Sequence, residues 1–141
     1  MAAASAAQAY ERAAALRDKL EELRWLAERL AWLQSARREH TFIYAVTGDD
    51  GRTLWYLLHR GRVRAALTAP RDPTTRQVAR AAIESVFAEC GRDGGPLPAD
   101  QMDSILLVAG WFRKHADERR RTLTPAEALE LCRTGTALAC G

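Results

Sequence analysis

Between Ala6 and Arg38 the chain contains neither glycine nor proline, and Ala, Leu, Glu and Arg dominate. These are among the strongest helix formers, and nothing in the segment breaks the backbone hydrogen-bond ladder, so the sequence predicts one long helix over residues 1–38. Residues 39–141 are then left to build a small α+β domain. The helix carries more apolar residues than one face needs. Ala13, Leu16, Leu20, Leu23, Ala27 and Leu30 follow alternating spacings of three and four, the seam of a coiled coil. Trp25 with Trp32, and Leu26 with Leu33, recur at intervals of seven beside it. Two stripes require two packing partners.

After the helix the period changes. TFIYAV at 41–46 and TLWYLLH at 53–59 are rich in β-branched and aromatic residues, and the turn-forming GDDG at 48–51 separates them. This is the pattern of a β-hairpin. A second turn at Arg60-Gly61 leads into RVRAAL, where Val63, Ala65 and Leu67 alternate with Arg62, Arg64 and Ala66. The reading is a three-stranded antiparallel meander over 41–67 with one apolar face. The Trp stripe of the long helix is its natural cover, because a small sheet is unstable with that face in water.

Helices follow, over about 73–90, 101–116 and 125–133. Asp72-Pro73 is a start signal, and Val78, Ala82, Val86, Phe87 and Cys90 form an apolar face before the breaker GRDGGPLP. Asp100 is placed to cap the next helix, which carries Met102, Ile105, Leu106, Ala109 and Phe112. The charged HADERRR at 115–121 ends it at the surface. Thr124-Pro125-Ala126-Glu127 has capping-box spacing for a short last helix with Ala128, Leu129 and Leu131, and the terminal TGTALACG is expected to fray.

Composition narrows the class. An apolar fraction of 48% with 28% charge is that of a folded, water-compatible chain, and no apolar run approaches the roughly 18 residues that span a bilayer. MAAASAAQAY lacks a basic region followed by an apolar stretch, so no secretory signal is read and the expected location is cytoplasmic, with no membrane partner. The excess of +3 is mild for nucleic-acid binding, and the preference for arginine over lysine, with so much alanine, is first a mark of GC-rich coding. Cys90, Cys132 and Cys140 form no Cys-x-x-Cys pair, so neither a disulfide framework nor a zinc site is indicated.

The opening helix also carries a motif. Tyr10-Glu11-x-Ala13-Ala14-x-Leu16-Arg17-Asp18-x-Leu20-x-x-Leu23 resembles the UVR motif found in UvrB and UvrC of bacterial nucleotide excision repair and in some unrelated bacterial regulators. The resemblance implies an antiparallel helical hairpin that binds a second copy of itself, in the same protein or in a partner. It assigns Tyr10, Ala13, Ala14, Leu16, Arg17, Asp18, Leu20 and Leu23 to protein association, with a UvrB-like or other UVR-motif protein, or a homodimer, as the implied partner. The residues agree physically. Ala13 and Ala14 permit close helix approach, the leucines fill the seam, and Arg17 with Asp18 is suited to fix register. The motif departs from the family at its start, where MAAASAAQA shortens the first helix of the hairpin; a partner supplying that helix, or a longer parent protein, would account for it. In placement, the segment after Thr41 is similar to the modules that UvrC-like nucleases carry beyond the motif, downstream of their GIY-YIG domain.

Catalytic chemistry finds little support. Phe42-Ile43-Tyr44 and Trp55-Tyr56-Leu57 superficially resemble the two short GIY-YIG motifs, but both motif glycines are absent. Gly61-Arg62-Val63-Arg64 reads as a strand where that family needs a helix bearing its arginine. Arg80 and Glu84 have the spacing of an ordinary helical surface pair. Asp49 and Asp50 lie in a turn without a third acid, and His40, His59 and His115 share no ligand spacing and are expected as surface or capping residues. No cofactor, metal site or catalytic residue is assigned. Two alternatives to an interaction module stand: a DNA-binding accessory using Arg37, Arg38, Arg60, Arg62 and Arg64, extended by Arg119 to Arg121, or a remnant GIY-YIG-type nuclease domain. Arginines on an edge strand also serve solubility.

Overall fold

The computed structural model describes residues 2–88 and 96–135 and is α+β. It divides into two compact units, Met1–Gln34 and Ser35–Gly141. The first is made of the long helix α1 (Ala2–Glu39), whose last turn, from Ser35, belongs to the second.

In the second unit, β1 (Phe42–Thr47) and β2 (Thr53–His59) form the expected hairpin, in register from Phe42 opposite Leu58 to Thr47 opposite Thr53. The turn closes through Gly48 and Arg52, whose N–H and C=O lie 2.8 Å apart, and the Asp50 carboxylate accepts the Arg52 N–H at 3.0 Å. The aspartates are thus turn formers. β3 (Arg62–Thr68) comes after a two-residue turn in which Arg60 (φ +54°) and Gly61 (φ +78°) are both left-handed, the type I′ geometry that matches strand twist. α2 (Pro73–Phe87) starts at an Asp72 cap reciprocated by Thr75. α3 (Ala99–Lys114) leads through a 3-10 helix (Ala116–Arg121) into β4 (Thr122–Leu123), and α4 (Pro125–Thr134) carries the expected Thr124/Glu127 capping box.

Several expectations are corrected. The sheet has four strands, in the order β3-β2-β1-β4, because Thr122 and Leu123 pair antiparallel with Tyr44 and Ile43. Two residues are too short a run to show strand periodicity. The sheet also has two apolar faces. On one, Ile43, Trp55 and Leu57 pack with Ala79 and Ile83 of α2 and Ala128 and Cys132 of α4. On the other, Phe42 and Leu58 meet Val108 and Phe112 of α3, with the Phe42 and Phe112 rings edge to face at 5.1 Å. Full burial of a side chain such as Ile83 or Leu57 contributes roughly 1.5–3 kcal/mol.

Of the Trp stripe expected as cover, Trp25 and Leu26 are exposed, Trp32 is half-buried and Leu33 is buried; among the described residues of that helix Leu33 and Ala36 alone are fully buried. The alternation along β3 fails for a local reason. Leu57 pairs with Ala65 but Leu58 with Val63, so Arg64 is the extra residue of a bulge. Ala65 and Leu67 therefore keep to the α2/α4 face, whereas Val63 turns to the other and is 51% exposed. Asp100 lies in the first turn of α3 rather than capping it; Pro98 holds the cap position with no side-chain hydrogen bond. α2 is followed to Phe87, with Ala88 at its cap, and the expected end at residue 90 lies outside the described residues. Cys90, Cys140, most of the breaker GRDGGPLP and most of the terminal TGTALACG, with the fraying expected there, lie outside the described residues.

Candidate protein-interaction face

The helix α1 forms because nothing in it stops one, but its sequence also dictates the surface it displays. Every residue from Ala7 to Ala31 is exposed. The motif residues are therefore on the surface together: Tyr10 is 79% exposed, Leu16 67%, Leu20 48% and Leu23 62%. A helix whose leucines repeat every three and four residues along one stripe places them in a single row, with Ala13 and Ala27 as low points between them. Arg17 lies beside that row, whereas Asp18, one residue on, falls on the back of the helix. The back also carries Trp25, whose ring lies 5.7 Å from the Arg29 guanidinium carbon. An uncovered row of leucines on a long helix is a surface that association with another apolar face would stabilise.

The arginine group is assembled around the β2-β3 turn. The Gly61 N–H donates to the His40 carbonyl at 2.8 Å, and the Arg60 N–H to Thr41 Oγ1 at 3.0 Å, so the turn is tied to the backbone just beyond Arg37 and Arg38. The five side chains are not equivalent. Arg38 and Arg64 are exposed, Arg37 and Arg60 are half-buried, and Arg62 lies opposite His59 in the ladder with its Nε buried and unpaired. The proposed extension carries acids: Arg119 lies 3.7 Å from Glu39, and Arg121 3.6 Å from Glu118. These carboxylates offset part of the positive potential a phosphate would meet.

The expectation of surface or capping residues divides among the histidines: His40 and His59 are buried rather than superficial, and the His40 side chain caps a carbonyl of the last turn of α1. His40 Nδ1–H donates to the Ala36 carbonyl at 2.8 Å, leaving Nε2 to accept from Arg119 at 3.5 Å. Its ring packs against Phe42 and Phe112. Burial lowers its pKa from the ordinary imidazole value, against the opposing effect of the Ala36 carbonyl, and neighbouring Arg119 lowers it further. His59 lies edge-on to Phe87 at 5.9 Å, and half-buried His115 stacks on Trp111 at 4.1 Å. These are packing roles. Alternating strand periodicity was the signal for burying His59, which shares a face with Trp55 and Leu57.

Arg80 Nε meets Glu84 Oε1 at 2.8 Å with both side chains largely exposed, an i,i+4 surface pair as its spacing predicts. Among the described residues no three His, Cys, Asp or Glu side chains gather into a metal-ligand group. The described helices include none long and apolar enough to cross a membrane. Comparison with family models, with curated proteins and with solved structures finds no match.

Proposed function

We propose that the chain is a noncatalytic protein-interaction module, resembling the UVR-containing portion of a UvrC-like nuclease and working in DNA repair by nucleotide excision. The observation that carries the interaction role is the exposed seam of Leu16, Leu20 and Leu23 on a helix otherwise rich in charge. The motif from Tyr10 to Leu23 supports the repair setting. The described residues of the second unit have a different part in this reading, as a folded body with its own buried core.

The test is affinity capture from nuclease-treated extract, comparing wild type with Leu16→Glu/Leu20→Glu and identifying bound proteins by mass spectrometry. Recovery of a UVR-bearing excision-repair subunit by wild type alone is the expected result. The variant should keep the melting transition of the wild type, because both leucines are exposed. Equal recovery by the two proteins, or DNA-dependent recovery alone, would refute the seam as the binding surface.

A further inference from the structure

The charges on α1 are sorted by face, and that sorting specifies the partner. With Ala13, Leu20 and Ala27 at the first apolar position of each heptad and Leu16, Leu23 and Leu30 at the second, the flanking positions between Tyr10 and Ala31 are the uncharged Tyr10, Leu26 and Ala31 and four others, Arg12, Arg17, Lys19 and Arg24. All four are cations, two on each side of the row. The acids of the same stretch, Glu11, Asp18, Glu21, Glu22 and Glu28, all fall on the back. Flanking residues are the ones that face a partner helix and set its choice and orientation. Of the four flanking cations the motif pattern specifies Arg17 alone; heptad register finds the others.

We infer that the seam of α1 docks a helix of another protein whose own apolar row is flanked by glutamate or aspartate, and that it disfavours a second copy of this chain. The inference rests on the interaction reading above and adds the partner's charge. A self-pair meets the same repulsion in either orientation. Parallel copies place Arg12 against Arg17 and Lys19 against Arg24, and antiparallel copies place Arg12 against Lys19 and Arg17 against Arg24. Neither brings an acid to the seam. Ala13 and Ala27 let the partner's backbone approach closely, so the flanking charges lie within reach of one another.

An anionic membrane is the weaker occupant for the same row. Between Tyr10 and Ala31 acids and bases are equal in number, giving no net attraction to a negative surface, and Trp25 sits on the back rather than among the leucines.

The test uses the full chain and two designed helical peptides of about five heptads with Leu at both apolar positions. One carries Glu at every flanking position, and the other Lys. Wild type should bind the Glu-flanked peptide at least about tenfold more tightly than the Lys-flanked one, with the preference shrinking towards about 1 M salt, where the Debye length falls to ~3 Å. The quadruple variant Arg12→Glu/Arg17→Glu/Lys19→Glu/Arg24→Glu should reverse the preference. Its helix content by circular dichroism separates lost helix from lost selectivity, and the single change Arg17→Glu should give a partial shift in the same direction. Sedimentation of wild type at low salt should show a monomer.

Equal binding of both peptides, or a wild-type dimer tighter than the Glu-flanked complex, would overturn the charge inference while leaving a leucine-dependent interaction intact. Binding of either peptide that Leu16→Ala/Leu20→Ala leaves unchanged would instead overturn the interaction reading itself. Attachment to anionic phosphatidylserine vesicles or to duplex DNA, with neither peptide bound, would replace the helical partner by that surface.

Discussion

The helices α1 and α2 are built from similar residues and end in opposite environments. In α2, Ala79 and Ile83 are completely buried between the sheet and α4. In α1, Leu16 and Leu23 point from an equally regular stripe into water. Periodicity therefore tells which residues share a face, not whether the same chain covers that face. The difference separates two uses of apolar surface, one that stabilises the fold and one that remains available for association.

The sharpest way to break this comparison is to remove side chains from both. Ile83→Ala should cost about 2–5 kcal/mol and lower the melting temperature by roughly 10 °C or more, because the cavity adds to the lost transfer energy. Leu16→Ala/Leu23→Ala should shift the same transition by no more than about 0.5 kcal/mol. Scanning calorimetry of the two proteins gives the answer. A similar loss in both would mean that the α1 row is core in solution.

A smaller effect tests the β2-β3 turn, which holds the arginine group together. Gly61 is left-handed, and a Cβ there would lie 3.1 Å from Ile105 Cγ2. Gly61→Ala should destabilise by about 1–3 kcal/mol in urea unfolding, from backbone strain and crowding against α3. A Gly61→Ala protein as stable as wild type would mean that neither the left-handed backbone nor the approach to Ile105 constrains the turn.

These same elements show how much of the molecule is legible in its sequence. The hairpin, its turns and the two capping boxes are readable because each depends on residues close in sequence: Asp72 with Thr75, Thr124 with Glu127, Arg60 with Gly61. The exposed motif row is readable as a face for the same reason. The bulge at Arg64 is not, since the pairing shift between Leu57 and Leu58 is decided across strands and reverses the side on which Val63 lies. β4 and the second apolar face depend on residues far from β1 in the chain, as in the pairing of Ile43 with Leu123 and the packing of Phe42 on Phe112. The arginine group is partly legible. Sequence proximity places Arg60, Arg62 and Arg64 together, but it gives no sign that the Arg62 Nε is buried or that Glu39 and Glu118 sit beside Arg119 and Arg121.

The smallest effect concerns His40, just beyond the point where α1 ends, and sharpens the contrast by asking how tightly the last turn of that helix is sealed. Its imidazole is buried with a lowered pKa, chiefly from desolvation, so the folded state resists a proton that the unfolded state accepts near the ordinary value of 6.5. Between those two values the unfolded chain binds more protons, and stability must rise with pH. The stabilisation is thus present above about pH 6.5 and declines as pH falls through the window below it. His40→Gln, which keeps a donor for the Ala36 carbonyl, should flatten the stability profile between about pH 7 and 5 relative to wild type. Urea unfolding across that range measures the difference. An unchanged slope would mean that His40 takes up its proton freely in the folded state, and hence that water reaches the ring between Ala36 and Phe112 despite its packing.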